Sequence, residues 1–518
     1  MLDLAVILGY FAVVLAAALW SRLRPDAGVD EYFVAGRRLG WWSIAASTIA
    51  TNLQAGHFLA VIGSAYAFGL AQANFELNAV LGLVLAAFVF VPLYLRARVV
   101  TISEYLEQRL GGTVATAYAV MLMVLYGTLY LGAALFWGGY CLEVLFGPQL
   151  GALVGGSPGL RIAVMIVLLG GFSALYTRQG GLGAVVRTDV VQFVLLMGGG
   201  LTVLVLAVRA LGGWGAFPDL LADRMHLHLP NSHPKLPWLG IATMHLLNLQ
   251  YWGCNQVILQ RALGARSLRD AQVGLLVGGA FKFLTAAMLV LPGIALVGIL
   301  GRDHPLGDPD QAYLRLVDLL LAPGVRGLVL CGLFASLMSS VDSIFNSVST
   351  VWSVDIYRRR LRPAATERQV VAMGRRAVGV TCVVGIVFGF AFAWVKLRNP
   401  DFPLDPVFKQ VSYNIKNGLV VLVAATMFLG RPRPRLVLGA MLAMVPLSVL
   451  LDRVLAQVPY LIVTGAVITS GLLAVFVPTA LERRAPGGPA RWRPVDRRVG
   501  AAGVLLVAVL AAIHVRWH

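Results

Sequence analysis

Apolar stretches near the ~20 residues that cross a bilayer as a helix recur along the whole chain. Fourteen spans are expected, at roughly 3–20, 40–68, 74–95, 115–146, 160–177, 184–208, 238–260, 272–300, 322–356, 372–395, 404–429, 435–452, 456–479 and 500–515. The longest polar segments between them, roughly 212–236, 301–318 and 480–499, leave no room for a soluble domain of any size. The pattern predicts an all-α integral membrane protein with one membrane domain.

Two of the spans are interrupted. Residues 42–58 read WSIAASTIATNLQAGHF and residues 245–257 read HLLNLQYWGCNQV, each with a polar, glycine-containing centre inside an apolar stretch. Unwound backbone at membrane depth is tolerated only where it lines a protein-filled or water-filled cavity. Such breaks at matching places in two halves mark the midplane binding site of a secondary transporter. Here they divide the core into five spans from about 40 to 208 and five from about 238 to 429. Five is odd, so the second block enters from the opposite side, which is the geometry of an inverted repeat. The expected organisation is an extra helix in 1–30, the first half in 31–208, the second half in 209–430 and extra helices in 431–518.

Composition agrees. Of 518 residues 58% are hydrophobic and 13% charged, against about 25% charged in a soluble chain. The net charge of +18 would suggest nucleic acid in a soluble protein, but topology accounts for it. With an external N-terminus, about 28 basic residues fall on one side, about 11 on the other, and three (Lys282, Lys409, Lys416) within spans. The rich side holds Arg22, Arg24, Arg37, Arg38, Arg358 to Arg360, Arg431, Arg433, Arg435 and the run from Arg491 to Arg498. The positive-inside rule makes that side cytoplasmic, so an even span count puts both termini outside. Asp3 and the missing basic n-region argue for an uncleaved first helix. Cys141, Cys254, Cys331 and Cys382 all sit in apolar segments and are expected as reduced thiols. No nucleotide-binding loop, nucleophile–base set or metal spacing is present, and His226, His228 and His233 share an external loop without metal geometry. ATP-driven transport and membrane enzymology are therefore unsupported. A solute sensor is the remaining alternative to a carrier, although no cytoplasmic signalling domain is visible.

Five segments carry a resemblance: EYFVAGRRLGWW at 31–42, TISEYLEQR at 101–109, QGGLGAVVRTDVVQ at 179–192, NQVILQR at 255–261 and SLMSSVDSIFNSVSTVWSVDIY at 336–357. In order and spacing they resemble the sodium/solute symporter family, in its sodium/glucose cotransporter-like branch, over about residues 30 to 435. The resemblance implies a LeuT-like five-plus-five fold, broken at its first and sixth core helices. It also implies coupling of inward sodium (Na+) flow to uptake of a small polar solute, a sugar first of all.

It further implies sites. A sodium ion would lie between the unwound first core span and the eighth, held by the carbonyls of Ala50, Leu53 and Ser336 and the hydroxyls of Ser339 and Ser340. Small serines also let helices pack closely, which is the alternative for that pair. Asp189, expensive at membrane depth, would lie beside Ser340 on the ion's exit path or at a second cation site, unless it pairs with Arg187. The solute cavity would be lined by His57, Glu76, Asn248, Trp252 and Lys282, with Tyr251 as inner gate and Asn52 as its hydrogen-bond partner. Glu76 and Lys282 could instead only neutralise each other, and Trp252 could be ordinary packing. The tenth core span departs from the family, presenting Lys409 where glucose-type members present a glutamine, with Lys416 one to two turns on. A more positive cavity raises sugar acids and other carboxylates, with amino acids and polyols as further alternatives, unless the lysines snorkel to the outer interface.

Overall fold

The computed structural model describes residues 2–20, 23, 27–54, 56–301, 306–399, 402, 404–481 and 496–517. Arg22, Arg24, Arg491 and Arg493 of the expected cytoplasmic charge, and Ala55 of the first break, lie outside the described residues. The long helices are α1 (Leu2–Leu19), α2 (Trp41–Asn52), α3 (His57–Ala97), α4 (Gly112–Val154), α5 (Pro158–Leu211), α6 (Trp238–Gly253), α7 (Gln256–Leu263) and α8 (Leu268–Leu300). They continue as α9 (Val325–Leu361), α10 (Glu367–Arg398), α11 (Leu404–Phe428), α12 (Pro434–Val454), α13 (Tyr460–Leu481) and α14 (Arg497–Arg516). Among the described residues there is no strand, only two isolated bridges.

Ten of these helices are long and apolar enough to cross a membrane. The other four of the fourteen expected spans are α1, the broken pair α6–α7, α2 joined to the start of α3 as far as Phe68, and the second part of α5. At 54 residues, α5 would run about 80 Å if straight, against a hydrocarbon core of about 30 Å. It turns at Gly181, where φ is 54° and ψ −148°. A Cβ there would meet the carbonyl oxygen of Tyr32 at 2.2 Å, so the turn needs glycine both for its left-handed φ and for the contact. Tyr32 in turn donates its hydroxyl to the Arg178 carbonyl at 3.1 Å. The 301–318 segment, expected as a polar loop, contains the start of a short helix at Ala312–Leu320.

Both breaks are written in their local residues. α2 stops at Asn52, and Leu53 is extended (φ −80°, ψ 108°). His57 then accepts the Gln54 amide on Nδ1 at 3.0 Å. α6 stops at Gly253, and Asn255 caps α7 by accepting from the Val257 amide at 3.0 Å. The two broken helices are tied together where Leu39 exchanges backbone bonds with Gly264 and Arg266, each at 3.0 Å.

The five motif segments meet on the arginine-rich side. Thr101 and Glu104 form a capping box at the helix Ile102–Leu110, and the Thr101 hydroxyl also donates to Asp355 at 2.7 Å. Arg359 pairs with Glu104 at 2.8 Å and also with Glu107, while Arg360 reaches Glu107 at 2.7 Å. Gln256 accepts from the Ile102 amide at 2.9 Å, Gln260 donates to the Phe33 carbonyl at 2.8 Å, and Arg37 donates to the Arg98 carbonyl at 3.0 Å. The motifs thus build one closed latticework beneath the breaks.

Candidate solute and cation site

A cavity with about 220 Å³ of water-accessible space opens between the two breaks. That is far above the roughly 10–15 Å³ one water needs, so it has room for a small solute. His57, Glu76, Asn248, Trp252, Lys282 and Lys409 all line it, as do Asn52 and Tyr251. Lys282 lies 2.5 Å from Glu76, and both are buried, at 1% and 3% exposure. The same ammonium donates to the Asn52 side-chain oxygen, and the Asn52 amide donates to the Tyr251 hydroxyl at 2.9 Å. His57 faces Glu76 across 3.9 Å. Asn248 donates to the Asn78 carbonyl at 3.0 Å. The buried indole nitrogen of Trp252 has no partner. The pyrrole edge of that indole packs against Gly82 of α3, where a Cβ would come within 2.2 Å of the ring and 3.0 Å of its nitrogen.

The residues expected to hold a cation adjoin this cavity, and Ser340 is part of its lining. The Leu53 amide makes the last helical bond of α2, to the Ile49 carbonyl, so the carbonyls that follow have lost their helical donors. The Ser336 hydroxyl donates to the Leu53 carbonyl at 2.7 Å. The Ser340 hydroxyl is 3.2 Å from the Thr51 carbonyl and 3.1 Å from the Ser336 carbonyl. Freed carbonyls and hydroxyls at a broken helix are the donor set that suits a hard alkali cation. Ala50 lies buried one turn before Leu53. Asp189, with no exposure, accepts from the hydroxyls of Ser339 and Ser47. The hydrogen bonds that hold it therefore come from Ser339 and Ser47, one residue off the expected neighbour Ser340, because Ser339 and Ser340 project about 100° apart on the same helix.

The family model described as the sodium:solute symporter family matches residues 32–396. The chain belongs to the sodium:solute symporter family. Its relatives include sodium/glucose cotransporter 1 of Ovis aries, 34% identical over 436 residues, with 76% of this chain and 63% of that protein covered. Another is sodium/myo-inositol cotransporter 2 of Mus musculus, 34% identical over 420 residues, with 74% and 61% covered. The chain therefore spans less than two thirds of the length of these relatives. Among solved structures, a Na+-coupled sialic acid symporter in a substrate-bound outward-open state superposes with a TM-score of 0.78 at 20% identity, over 95% of this chain and 99% of that one. The shared fold is the LeuT-like five-plus-five arrangement.

The sequence assigns no role to Arg261, and leaves Lys416 either adding positive charge to the cavity or snorkelling outward. Arg261 is 1% exposed and donates to the Ser47 carbonyl at 2.8 Å, the Thr51 hydroxyl at 2.5 Å and Ser343 at 3.1 Å. It therefore shares Ser47 with Asp189 and places a cation beside that carboxylate. Lys416 lines the cavity and is 5% exposed. It stands over the rings of Tyr130, Tyr413 and Tyr251 at 4.8, 5.5 and 5.7 Å. Lys409 also faces inward, 6.0 Å from the Phe75 ring. Lys416 is therefore buried within the cavity wall, whereas Lys409 is half-buried. The residues 409, 413 and 416 lie at i, i+4 and i+7, one face of a helix. On the opposite face, Gly418 seats α11 on the Met441 carbonyl, where a Cβ would come within 2.1 Å, and at the flank of the stripe Asn417 donates to Ser448 at 2.9 Å.

Proposed function

We propose that the chain is a sodium-coupled secondary active symporter that imports a sugar or related polar metabolite by alternating access. Its place is the cytoplasmic membrane, with both termini external. The observation that carries the reading is the meeting of two broken helices at a solute-sized cavity, beside which Ser336 and Ser340 reach the freed carbonyls of Leu53 and Thr51. Family membership supports it, as do the glucose and myo-inositol named for the two relatives. His57, Glu76, Asn248, Trp252, Lys282 and Lys409 hold the solute. Ala50, Leu53, Ser336 and Ser340 ligate sodium, and Ser339 and Asp189 hold the inward side of that site. Tyr251, fixed by Asn52, covers the solute.

Sodium binding draws the carbonyls of the α2 break onto α9 and so shapes the segment that bears Asn52. Solute binding then closes the outer side, and loss of sodium inward frees Tyr251 to move. One charge falling through 100 mV releases about 2.3 kcal/mol. At about 1.4 kcal/mol per decade this supports roughly fifty-fold accumulation before the sodium gradient adds its share. The test is uptake by proteoliposomes across a panel of labelled sugars, polyols and organic acids, with and without an inward sodium gradient. Uptake indifferent to sodium refutes coupling, and binding without uptake favours a sensor.

A further inference from the structure

We propose that the solute carries a carboxylate, a uronic or aldonic acid in size, and that the ammonium of Lys416 receives it. The inference rests on the transporter reading above and narrows its substrate class. Lys416 lies twelve residues from either end of Leu404–Phe428, about 18 Å along the axis. A four-carbon stem does not extend that far, so its charge has to be met inside the membrane.

What meets it now is aromatic. Nζ donates to the Tyr130 hydroxyl and stands over the rings of Tyr130, Tyr251 and Tyr413. Such rings attract an ammonium through their quadrupoles, but they carry no formal charge to offset it. The cavity's own acid does not serve Lys416. Glu76 is the one acidic residue among the described residues lining the cavity, against three lysines, Lys282, Lys409 and Lys416. Glu76 is already held by Lys282 at 2.5 Å and by the Thr285 hydroxyl at 3.3 Å. A neutral hexose would add hydroxyl partners and no charge. A carboxylate on Lys416 lowers the charge of the lining from +2 to +1 and leaves the hydroxyl-bearing carbons toward His57 and Asn248. It would also sit against Tyr251, so charge recognition would act on the residue that covers the solute.

The test compares glucuronate with its methyl ester, the same ring without the charge, alongside gluconate and glucose. The full chain in proteoliposomes is driven by an inward sodium gradient. Glucuronate or gluconate should be preferred over the ester and glucose by about ten- to hundred-fold in apparent affinity, the span of a charge-assisted hydrogen bond. Lys416→Gln should remove most of that gap and Lys416→Arg should keep part of it. Equal affinity for acid and ester, no uptake of either acid, or an undiminished gap in Lys416→Gln overturns the proposal. The acid–ester comparison needs no variant and stands even if Lys416→Gln does not fold. Sodium-driven glucose uptake without acid preference overturns the carboxylate alone. Sodium-independent uptake of every probe overturns the symporter reading as well.

Discussion

Replacing Lys282 with Met separates what the Glu76–Lys282 pair does for the fold from what it does for transport. The two side chains are 3% and 1% exposed and 2.5 Å apart. Without the ammonium, Glu76 keeps the Thr285 hydroxyl at 3.3 Å and His57 at 3.9 Å, neither a full substitute. Removing one partner of a buried ion pair costs about 3–5 kcal/mol, mostly because the other charge stays buried. At the ~1–2 °C per kcal/mol expected for a chain this size, the thermal midpoint falls by about 3–10 °C. The double variant Glu76→Gln, Lys282→Met removes both charges, and such replacements are often neutral or stabilising. Its midpoint should return to within about 2 °C of the parent. Transport should not return, because Lys282 also donates to Asn52 and through it positions Tyr251. The assay is fluorescence-monitored unfolding of solubilised protein at one fixed scan rate, since the midpoint of an irreversibly unfolding protein depends on that rate. Sodium-driven uptake is measured on the same preparations. A Lys282→Met variant as stable as the parent, or a double variant less stable than Lys282→Met, refutes the buried-pair argument. A double variant that regains transport refutes the link to the gate.

Three further outcomes follow. The change Ser339→Ala, Ser340→Ala should raise the sodium concentration for half-maximal uptake at least ten-fold while moving solute affinity at saturating sodium much less; unchanged sodium dependence removes these serines from the cation site. Tyr251→Phe loses the bond to Asn52 at 2.9 Å, so solute retention should fall about two- to ten-fold, the value of one neutral hydrogen bond. Tyr251→Ala should lose coupled accumulation in a folded protein, and full accumulation in it excludes a gate there. On the arginine-rich side, burial pushes the Glu107 carboxyl up, but hydrogen bonds from Arg360 and Arg359 hold it below its usual value. A depressed carboxyl adds stability above its unfolded value near pH 4.3 and loses it as pH falls. Between about pH 5 and pH 3 the parent midpoint should therefore fall more than that of Glu107→Gln, and parallel curves refute the assignment.

The breaks were legible because their chemistry is local. Asn52, Gln54 and Gly56 in one, and Gly253 and Asn255 in the other, cannot continue an apolar helix cheaply, and the helices stop at Asn52 and Gly253. The residues expected to line the cavity came from the family resemblance, since none of them lies in the five motif segments. What stayed hidden depends on which face a helix presents. The inward stripe of Lys409, Tyr413 and Lys416 is visible as an i, i+4, i+7 pattern, but its direction is set by Gly418 against Met441, a contact between residues 23 apart. Asp189, expected beside Ser340, takes its hydrogen bond from the adjacent Ser339, a choice of helix face the sequence does not show. Arg261 lay inside a recognised motif, yet its bonds to Ser47, Thr51 and Ser343 join three helices that are far apart in sequence.

Coupling in the proposed cycle has a physical address in three consecutive residues. The Thr51 carbonyl accepts from Ser340 and the Leu53 carbonyl from Ser336, both on the cation side. Between them, Asn52 bonds to Lys282 on the solute side and to Tyr251 at the gate. The amides of these residues still close the last turn of α2, the Leu53 amide on the Ile49 carbonyl, but their carbonyls have no helical donor and can reorient with the break at modest cost. A ligand shifts such an equilibrium only by its differential affinity for the two arrangements. Sodium bound to the carbonyls favours the arrangement that presents Asn52 to Lys282 and Tyr251, and a solute that bridges the cavity favours the same one. Each should therefore raise the affinity for the other by the same factor, since linkage between binding free energies is reciprocal. An Asn52→Ala variant would keep both sites and lose the bonds that join them, so sodium and solute should still bind while the mutual enhancement measured by titrating each at fixed levels of the other falls toward one. Enhancement undiminished in that variant would place the coupling elsewhere in the fold.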